Sequence, residues 1–286
     1  MTLTGRYSQP EFADRPIHTE GPTGKLLLRE DRNGVTTLTM NRPAARNALS
    51  NALMNQLHET LEQVGEDSSV KVVVLAGAGP GFCAGHDLKE MRAAGGGDRA
   101  AARKFHEGVF RRCSRVMMAI THLPKPVIAK VHGIATAAGC QLVATCDLAV
   151  ASDQARFATP GVNIGLFCST PMVALTRAVG RKAAMEMLLT GEMVSAEEAK
   201  TLGLVNRVVP AEQLDEETDA LARLIASKSP LTLAIGKEAF YRQADMDLTA
   251  AYEYASEVMT RNMLARDAEE GIDAFLEKRA PHWRGQ

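Results

Sequence analysis

The sequence has few cysteines, few aromatic residues and no long hydrophobic run. Its five cysteines are an odd number and include no Cys-x-x-Cys pair, so reduced thiols are expected in place of disulfides or a zinc site. Apolar stretches such as VVVLAGAG are far shorter than the ~20 residues of a membrane span. Residues 1–24 lack a hydrophobic signal core and carry acidic residues, unlike a transit peptide. We therefore expect a cytoplasmic protein without a membrane partner.

Charge of either sign is not in excess. There are 33 Lys and Arg residues against 34 Asp and Glu residues, a net charge of −1, and like charges form no long run. A nucleic-acid partner is therefore not expected. With 286 residues, 45% of them hydrophobic, the chain is long enough for one large domain. We expect a flexible arm at residues 1–24, a main domain at residues 25–205 and a helical region suited to subunit contacts at residues 206–286.

Strand patterns come first along the chain and helical patterns later. KLLLRE and GVTTLTM are rich in β-branched and aliphatic residues, and the Asn-Gly between them predicts a hairpin. Ser50 is expected to cap a helix with an apolar face. VKVVVLAG and KPVIAKVHG fit strands that are buried on both faces, within right-handed β-α-β units. From about residue 170 the pattern is helical, with a capping box at Ser195 and Glu198 and a helix end at Gly203.

Two turns rich in small residues are candidates for a functional site. The glycine-rich turn after VVVLAG does not fit a dinucleotide-binding G-x-G-x-x-G motif, because Phe82 stands where the third glycine belongs, and no Gly-Lys-Ser/Thr follows as in a P-loop. The turns CAGHDL and TAAGCQ each offer a backbone N–H near a helix start, where the helix dipole favours negative charge. If the two turns converge, they form an oxyanion hole. Alternatively, their small residues only permit tight helix packing.

Five motifs occur in order along the chain: NRPAARNALS, VVVLAGAGPGFCAGHDLKEM, VIAKVHGIATAAGCQLVATCDLAVAS, FATPGVNIGL and LTGEMVSAEEAKTLGLVNRVV. Together they resemble the crotonase, or enoyl-CoA hydratase/isomerase, superfamily, from about residue 25 to residue 286. The sequence is especially similar to the enoyl-CoA hydratase domain-containing proteins, a subgroup known mostly through mitochondrial members. The resemblance implies an α/β fold, a crotonase-like spiral of β-β-α units with a C-terminal helical region. Such proteins usually form a homotrimer or a dimer of trimers.

The resemblance also implies an acyl-CoA thioester as substrate and a place for its carbonyl oxygen. The two oxyanion N–H groups of the family fall on His86 and Ala138. They would hold the thioester carbonyl and stabilise the enolate that develops there, and each such donor is worth ~3 kcal/mol in a transition state. Because this contact uses the backbone, the side chains at both positions are compatible with it.

A path for coenzyme A follows from the same resemblance. It would run past Arg46, Ala84 and Lys89, and Lys278 would reach the nucleotide end from a neighbouring subunit. Ala44 stands where the family usually has a lysine, and the alternative for Arg46 and Lys89 is a solvated surface charge. No metal is expected, and no cofactor either, because coenzyme A is part of the substrate.

The two positions of the family's catalytic glutamates depart from the pattern. Gln141 stands at the first and Gly161 at the second. The amide of glutamine cannot exchange a proton near neutral pH, and glycine has no functional side chain. Loss of a general acid–base group typically costs about 10²- to 10⁴-fold in rate. We therefore predict weak or absent hydration of crotonyl-CoA. The imidazole of His86 could substitute, since its ordinary pKa suits proton transfer; the alternative is an outward or packed histidine.

Two classes of function remain open at this point. The first is an acyl-CoA-processing enzyme that stabilises a thioester enolate and runs hydration, isomerisation, decarboxylation or thioester hydrolysis. The second is a non-catalytic acyl-CoA binding or regulatory protein that has kept the fold and lost the acid and the base.

Overall fold

A computed structural model describes residues 24–286 of the chain. The flexible arm expected at residues 1–24 lies, apart from Gly24, outside the described residues. The strands are β1 (Leu27–Arg32), β2 (Val35–Met40), β3 (Val72–Gly77), β4 (Val127–Val131), β5 (Ile134–Thr136), β6 (Leu148–Ser152), β7 (Arg156–Ala158), β8 (Val194–Ser195) and β9 (Arg207–Val209). The helices are α1 (Asn51–Glu66), α2 (Leu88–Ala93), α3 (Arg99–His122), α4 (Ala138–Thr145), α5 (Ser169–Ala178), α6 (Arg181–Thr190), α7 (Ala196–Leu202), α8 (Leu214–Ala226), α9 (Pro230–Gln243), α10 (Leu248–Met263) and α11 (Arg266–Leu276), and a 3₁₀ turn covers Pro160–Ile164.

The predicted hairpin is confirmed and forms one end of the larger sheet. Strands β1 and β2 pair antiparallel from Arg32 opposite Val35. The two turn residues, Asn33 and Gly34, have φ values of 52° and 78°, the positive values that a type I′ turn requires. The following pairs are parallel, and the strand order is β1-β2-β3-β4-β6-β9.

The central strands of this sheet are buried on both faces, as their continuous apolar sequences predict. In β3, Val73 and Leu75 pack into the main core together with the leucines of α1, whereas Val72 and Val74 face a second cluster formed with α8. The helix α1 begins after Ser50, whose hydroxyl accepts a hydrogen bond from the backbone N–H of residue 53. Ser50 is therefore the helix cap that was predicted.

A second, smaller sheet lies beside the first and contains β5, β7 and β8. Cys83, in the connection after β3, forms a parallel bridge to Ala135 in β5. Along the chain, β4 and β6 of the large sheet are thus each followed by a short strand of the small sheet and then by a helix. This repeated unit places the loops after β3 and β5 next to each other.

Beyond β9 the described chain is helical, and α9 is anchored to the core by a buried charge. The helical pattern expected from about residue 170 missed two short strands, β8 and β9, and β9 pairs with β6 in the larger sheet. Lys237 Nζ donates to Asp147 at 2.6 Å and to two backbone carbonyls, those of Ile120 at 2.8 Å and Lys125 at 3.0 Å. Asp147 therefore has a structural role. The capping box at Ser195 is also confirmed. Within residues 24–286, no helix is long and apolar enough to cross a membrane.

Candidate active site

The two turns singled out in the sequence meet in the structure. The stretch before α2 runs beside the stretch that leads into α4. The Cys83 N–H donates to Ile134 O at 3.1 Å, and the Thr136 N–H donates to Cys83 O at 2.9 Å. A Cβ atom on Gly85 would lie 3.4 Å from Ala138 N. The convergence that the sequence leaves open is therefore present.

Each turn presents a backbone N–H that has no acceptor within residues 24–286. Leu49 donates to the carbonyl before His86 at 2.7 Å and accepts from the N–H after it at 3.1 Å, so the His86 N–H points to the opposite side. Ala137 has φ 50° and ψ −117°, and Ala138 is the first residue of α4, where the helix supplies no acceptor. Neither N–H donates a hydrogen bond to any described residue. Two adjacent unpaired donors are suited to bind a negatively charged oxygen.

Small residues are a steric requirement of this meeting point. A Cβ atom on Gly139 would lie 2.0 Å from Cys83 O, so any side chain there would push α4 away from the first turn. Gly85 has φ 97°, and a Cβ atom on it would lie 2.9 Å from the Cβ atom of Ala137. The small residues are therefore required for close packing, and the role of the two backbone N–H groups as oxyanion donors stays a prediction.

Gln141 lies one helical turn beyond this point and is buried. Its backbone N–H donates to Ala137 O at 3.0 Å, and the residue is only 4% exposed. The Cys113 thiol on α3 donates to Gln141 Oε1 across 3.6 Å. The Gln141 amide nitrogen makes no hydrogen bond to the described residues. The two N–H donors of this amide therefore have no acceptor among residues 24–286.

Gly161 is buried in the 3₁₀ turn, and the space for a side chain is filled. A Cβ atom would lie 2.6 Å from Leu166 O and 2.9 Å from Cys168 Sγ. The Leu166 N–H also donates to Gly161 O at 2.9 Å, which holds this loop closed. A glutamate at position 161 thus requires residues 166–168 to move.

The carboxylates nearest to the first turn have structural partners. Asp87 caps α2 by accepting from the N–H groups of residues 89 and 90, and it pairs with Arg42 at 2.8 Å. Glu90 accepts from the backbone N–H of Asn51 at 2.9 Å. Hydrogen bonds from Arg42 and the backbone hold the pKa of Asp87 below its usual value against the opposing effect of burial. Asp87 is thus a structural helix cap.

The imidazole of His86 is largely buried. Its Nε2 atom is enclosed and has no hydrogen-bond partner among the described residues. Its ring stands edge-on to Phe110, with 5.6 Å between the ring centroids. Burial lowers its pKa to about 4, so the ring is neutral at pH 7. It is a poor proton acceptor in this state, because the charged form is not solvated.

A cavity of about 920 Å³ opens between α2, α3 and the loop after the 3₁₀ turn. It is lined mostly by apolar side chains, among them Leu88, Phe110 and Leu166, with Lys89 and His106 at its wall. Its apolar lining suits an acyl chain or another apolar ligand group. Phe110 joins this cavity to the ring of His86.

The residues expected along coenzyme A are partly brought together. The Ala84 N–H donates to Arg46 O at 2.9 Å, so these two positions are neighbours. Arg46 and Lys89 have exposed side chains, and Lys89 lines the cavity. Lys278 lies after α11 at the other end of the chain, where its N–H donates to Phe275 O in the same turn.

The cysteines near this site are buried thiols. All five cysteines are buried and free, and burial raises the pKa of Cys113 and of Cys140 to about 12. They are therefore protonated thiols near neutral pH. In the part of the chain that the structure describes, no three His, Cys, Asp or Glu side chains are placed to hold a metal ion.

The sequence did not identify Cys113 and Phe110 as site residues. Both lie on α3. Their partners, Gln141 and His86, are 28 and 24 positions away in sequence. Only the packing of α3 against the two turns brings them together.

Comparison with known proteins gives consistent results. A family model described as enoyl-CoA hydratase/isomerase matches residues 30–286. The enoyl-CoA hydratase domain-containing protein 3 of Rattus norvegicus is 49% identical over 98% of this chain and 91% of its own length, and the 2,3-dehydroadipyl-CoA hydratase of Escherichia coli is 37% identical over 91% and 98%. A solved enoyl-CoA hydratase of Mycobacterium smegmatis superimposes with a TM-score of 0.87 at 57% identity, covering 91% of this chain and 99% of that one. The likeness confirms the α/β spiral with C-terminal helices.

The expected location is contradicted by these comparisons. The vertebrate relatives that are 46–50% identical are named mitochondrial proteins. The expectation of a cytoplasmic protein was therefore wrong. It rested on unpaired cysteines, which argue against an oxidising compartment without distinguishing among reducing ones, and on residues 1–24, which do not fix the compartment.

Proposed function

The chain belongs to the enoyl-CoA hydratase/isomerase family, and from this premise we propose that it binds an acyl-CoA thioester and stabilises an enolate at the thioester oxygen. The backbone N–H groups of His86 and Ala138 supply the oxyanion hole. The observation that carries this proposal is that both N–H groups lack an acceptor in the described part of the chain while the turns that hold them are in contact. Preorganised donors of this kind act most strongly where charge develops during the reaction.

The rest of the substrate fits around this point. The acyl chain occupies the cavity of about 920 Å³ beside Phe110. Coenzyme A passes Arg46 and Ala84, with Lys89 at the entrance and Lys278 contributed by a neighbouring copy in a trimer or a dimer of trimers. Exposed apolar residues on the C-terminal helices, such as Phe275 at 82% and Leu264 at 79% exposure, support subunit contacts in residues 206–286.

Hydration is the activity that the site supports least. Adding water to an enoyl thioester requires a base for the water and an acid for the α-carbon. Gln141 and Gly161 supply neither, and a side chain at position 161 would collide with Leu166 O and Cys168 Sγ. We therefore expect crotonyl-CoA to bind and to be hydrated slowly or not at all.

A non-catalytic acyl-CoA binding or regulatory protein is the alternative. The buried and paired surroundings of Gln141 favour it, because an amide held by Cys113 is a built feature of the core. Both functions require thioester binding, and they differ only in turnover.

Two measurements on the purified chain test the proposal. Calorimetric titration with butyryl-CoA, and with an analogue in which the thioester carbonyl is replaced by a methylene group, measures the contribution of the oxyanion hole. We expect roughly 30-fold stronger binding of the thioester, from two hydrogen bonds of about 1 kcal/mol each. A panel of acyl-CoA thioesters, followed by thiol release and by mass spectrometry, then separates enzyme from binder. No affinity for any acyl-CoA would refute both functions, and binding without turnover would favour the second.

A further inference from the structure

We propose that the acyl chain bound at this site ends in a carboxylate, which Arg92 and His106 hold in the cavity beside Phe110. The inference rests on the proposed function, since it requires the acyl chain to occupy that cavity of about 920 Å³. It names the substrate class: thioesters that coenzyme A forms with one end of a dicarboxylic acid.

Two helices form walls of the cavity, and each carries an apolar and a basic residue one turn apart. Leu88 and Arg92 lie on α2, Phe110 and His106 lie on α3, and all four line the cavity. Residues four apart share one face of a helix and are separated by about 6 Å along its axis. Leu88 follows the His86 turn directly, and Phe110 contacts the His86 ring. An acyl chain that leaves this turn between the apolar pair therefore continues towards the basic pair.

The charge of the cavity lining is of one sign. Its basic residues are Lys89, Arg92 and His106, and no Asp or Glu of residues 24–286 lines it. The remaining lining side chains are apolar. Such a cavity is complementary in shape and charge to an apolar chain that carries a negative group.

The guanidinium group of Arg92 has no partner in the described part of the chain. The carboxylates close to it in sequence or on the facing helix are bound elsewhere. Glu90 accepts from the backbone N–H of Asn51 at 2.9 Å, and Glu107 on α3 pairs with Arg103 at 2.8 Å. The two parallel N–H groups of the guanidinium are therefore left for a ligand, and a carboxylate is the group that matches them.

The same arrangement disfavours an acyl chain that ends in a methyl group. Such a chain would cover Arg92 and His106 without offering an acceptor, and covering polar groups without a hydrogen bond is unfavourable. A terminal carboxylate accepts from the guanidinium and from a ring N–H of His106. The coenzyme A moiety is assigned to Arg46 and Lys89, so a phosphate group is not needed to explain Arg92.

The test measures the affinity of the full-length protein for three pairs of thioesters by calorimetry. The pairs are glutaryl-CoA with valeryl-CoA, adipoyl-CoA with hexanoyl-CoA, and suberoyl-CoA with octanoyl-CoA; in each pair a carboxylate replaces a terminal methyl group. We expect roughly tenfold tighter binding of the dicarboxylic member in at least one pair, the value of a hydrogen bond to a charged group at an open site. Arg92→Met should abolish this preference by weakening the dicarboxylic member alone, and His106→Leu should reduce it.

Arg115→Met is the matched control, because Arg115 is exposed on α3 and does not line the cavity; it should keep the native preference. Thermal unfolding shows whether each variant is folded. Binding of thioesters without a preference in any pair would overturn this inference and leave the proposed function standing. A preference that survives Arg92→Met would also overturn it, as would an equal loss for both members of every pair, since Arg92 would then bind the coenzyme A that they share. Failure of every thioester to bind would overturn both.

Discussion

A single methyl group at Gly139 is expected to abolish the oxyanion hole without touching the ligand. The Cβ atom of Gly139→Ala would lie 2.0 Å from Cys83 O and 2.8 Å from Cys83 C. Ordinary contact begins at 3.4 Å, so the start of α4 and the first turn must separate by about 3.4 − 2.0 = 1.4 Å. The obstacle is backbone on both sides, and no flexible side chain can move aside.

The separation has a calculable effect on thioester binding. An N–H···O hydrogen bond near 2.9 Å is lost when it is lengthened by more than about 1 Å. Two such bonds of about 1 kcal/mol each correspond to roughly 30-fold in affinity. The Gly139→Ala protein should therefore bind butyryl-CoA and the methylene analogue with similar affinity, whereas the native protein prefers the thioester. In any turnover, displacement by about 1 Å should cost roughly 10²-fold in rate.

The assay is isothermal calorimetry with both ligands on both proteins. Gly236→Ala is the control, because a Cβ atom on Gly236 in α9 meets no heavy atom within 4 Å; this change should leave both affinities unaltered and stabilise the helix by up to about 1 kcal/mol. If the Gly139 variant does not fold, Gly85→Ala replaces it. Its Cβ atom would lie 2.9 Å from the Cβ atom of Ala137, a less severe collision. A folded Gly139→Ala protein that still prefers the thioester by the native factor would refute the placement of the hole.

Three further predictions concern stability and charge. Lys237→Met should lower the free energy of unfolding in urea by about 3 kcal/mol or more, because it leaves Asp147 partly buried without its cation; an unchanged midpoint would contradict this. Ser195→Ala should cost about 1 kcal/mol by removing the capping box with Glu198, measured by thermal unfolding. The His86 ring should remain neutral down to about pH 4 in its NMR titration, and its contribution to stability should be lost as the pH falls from about 6.5 towards 4, since the unfolded chain binds the proton first. A ring that titrates near its ordinary pKa would show that His86 is exposed to solvent.

Features that depend on a few adjacent residues could be predicted from the sequence. The Asn33-Gly34 turn, the cap at Ser50 and the capping box at Ser195 each follow from short-range backbone chemistry. The continuous apolar runs predicted strands buried on both faces, and the structure shows why: alternate residues of β3 face two different cores. The five motifs in their order predicted the family and its spiral fold.

Features that depend on contacts between distant residues could not be predicted. Nothing near Gln141 in the sequence indicates that its carbonyl is bound by Cys113, because the two residues meet only when α3 packs on α4. The sequence shows that position 161 carries glycine and no carboxylate. Only the structure shows that Leu166 O occupies the space that a side chain there would need. The pattern therefore predicted which groups are missing, and the packing shows what has replaced them.

The central claim is that this chain retains the oxyanion half of the family's active site and lacks the proton-transferring half. The most direct measurement is the absorbance of crotonyl-CoA, at a concentration that calorimetry shows to saturate the protein. Binding with a constant enoyl absorbance, or with a loss roughly 10²-fold or more below that of a relative with both glutamates, is the predicted result. Rapid hydration by the native protein would contradict the account, because it would require an acid and a base that Gln141 and Gly161 do not supply.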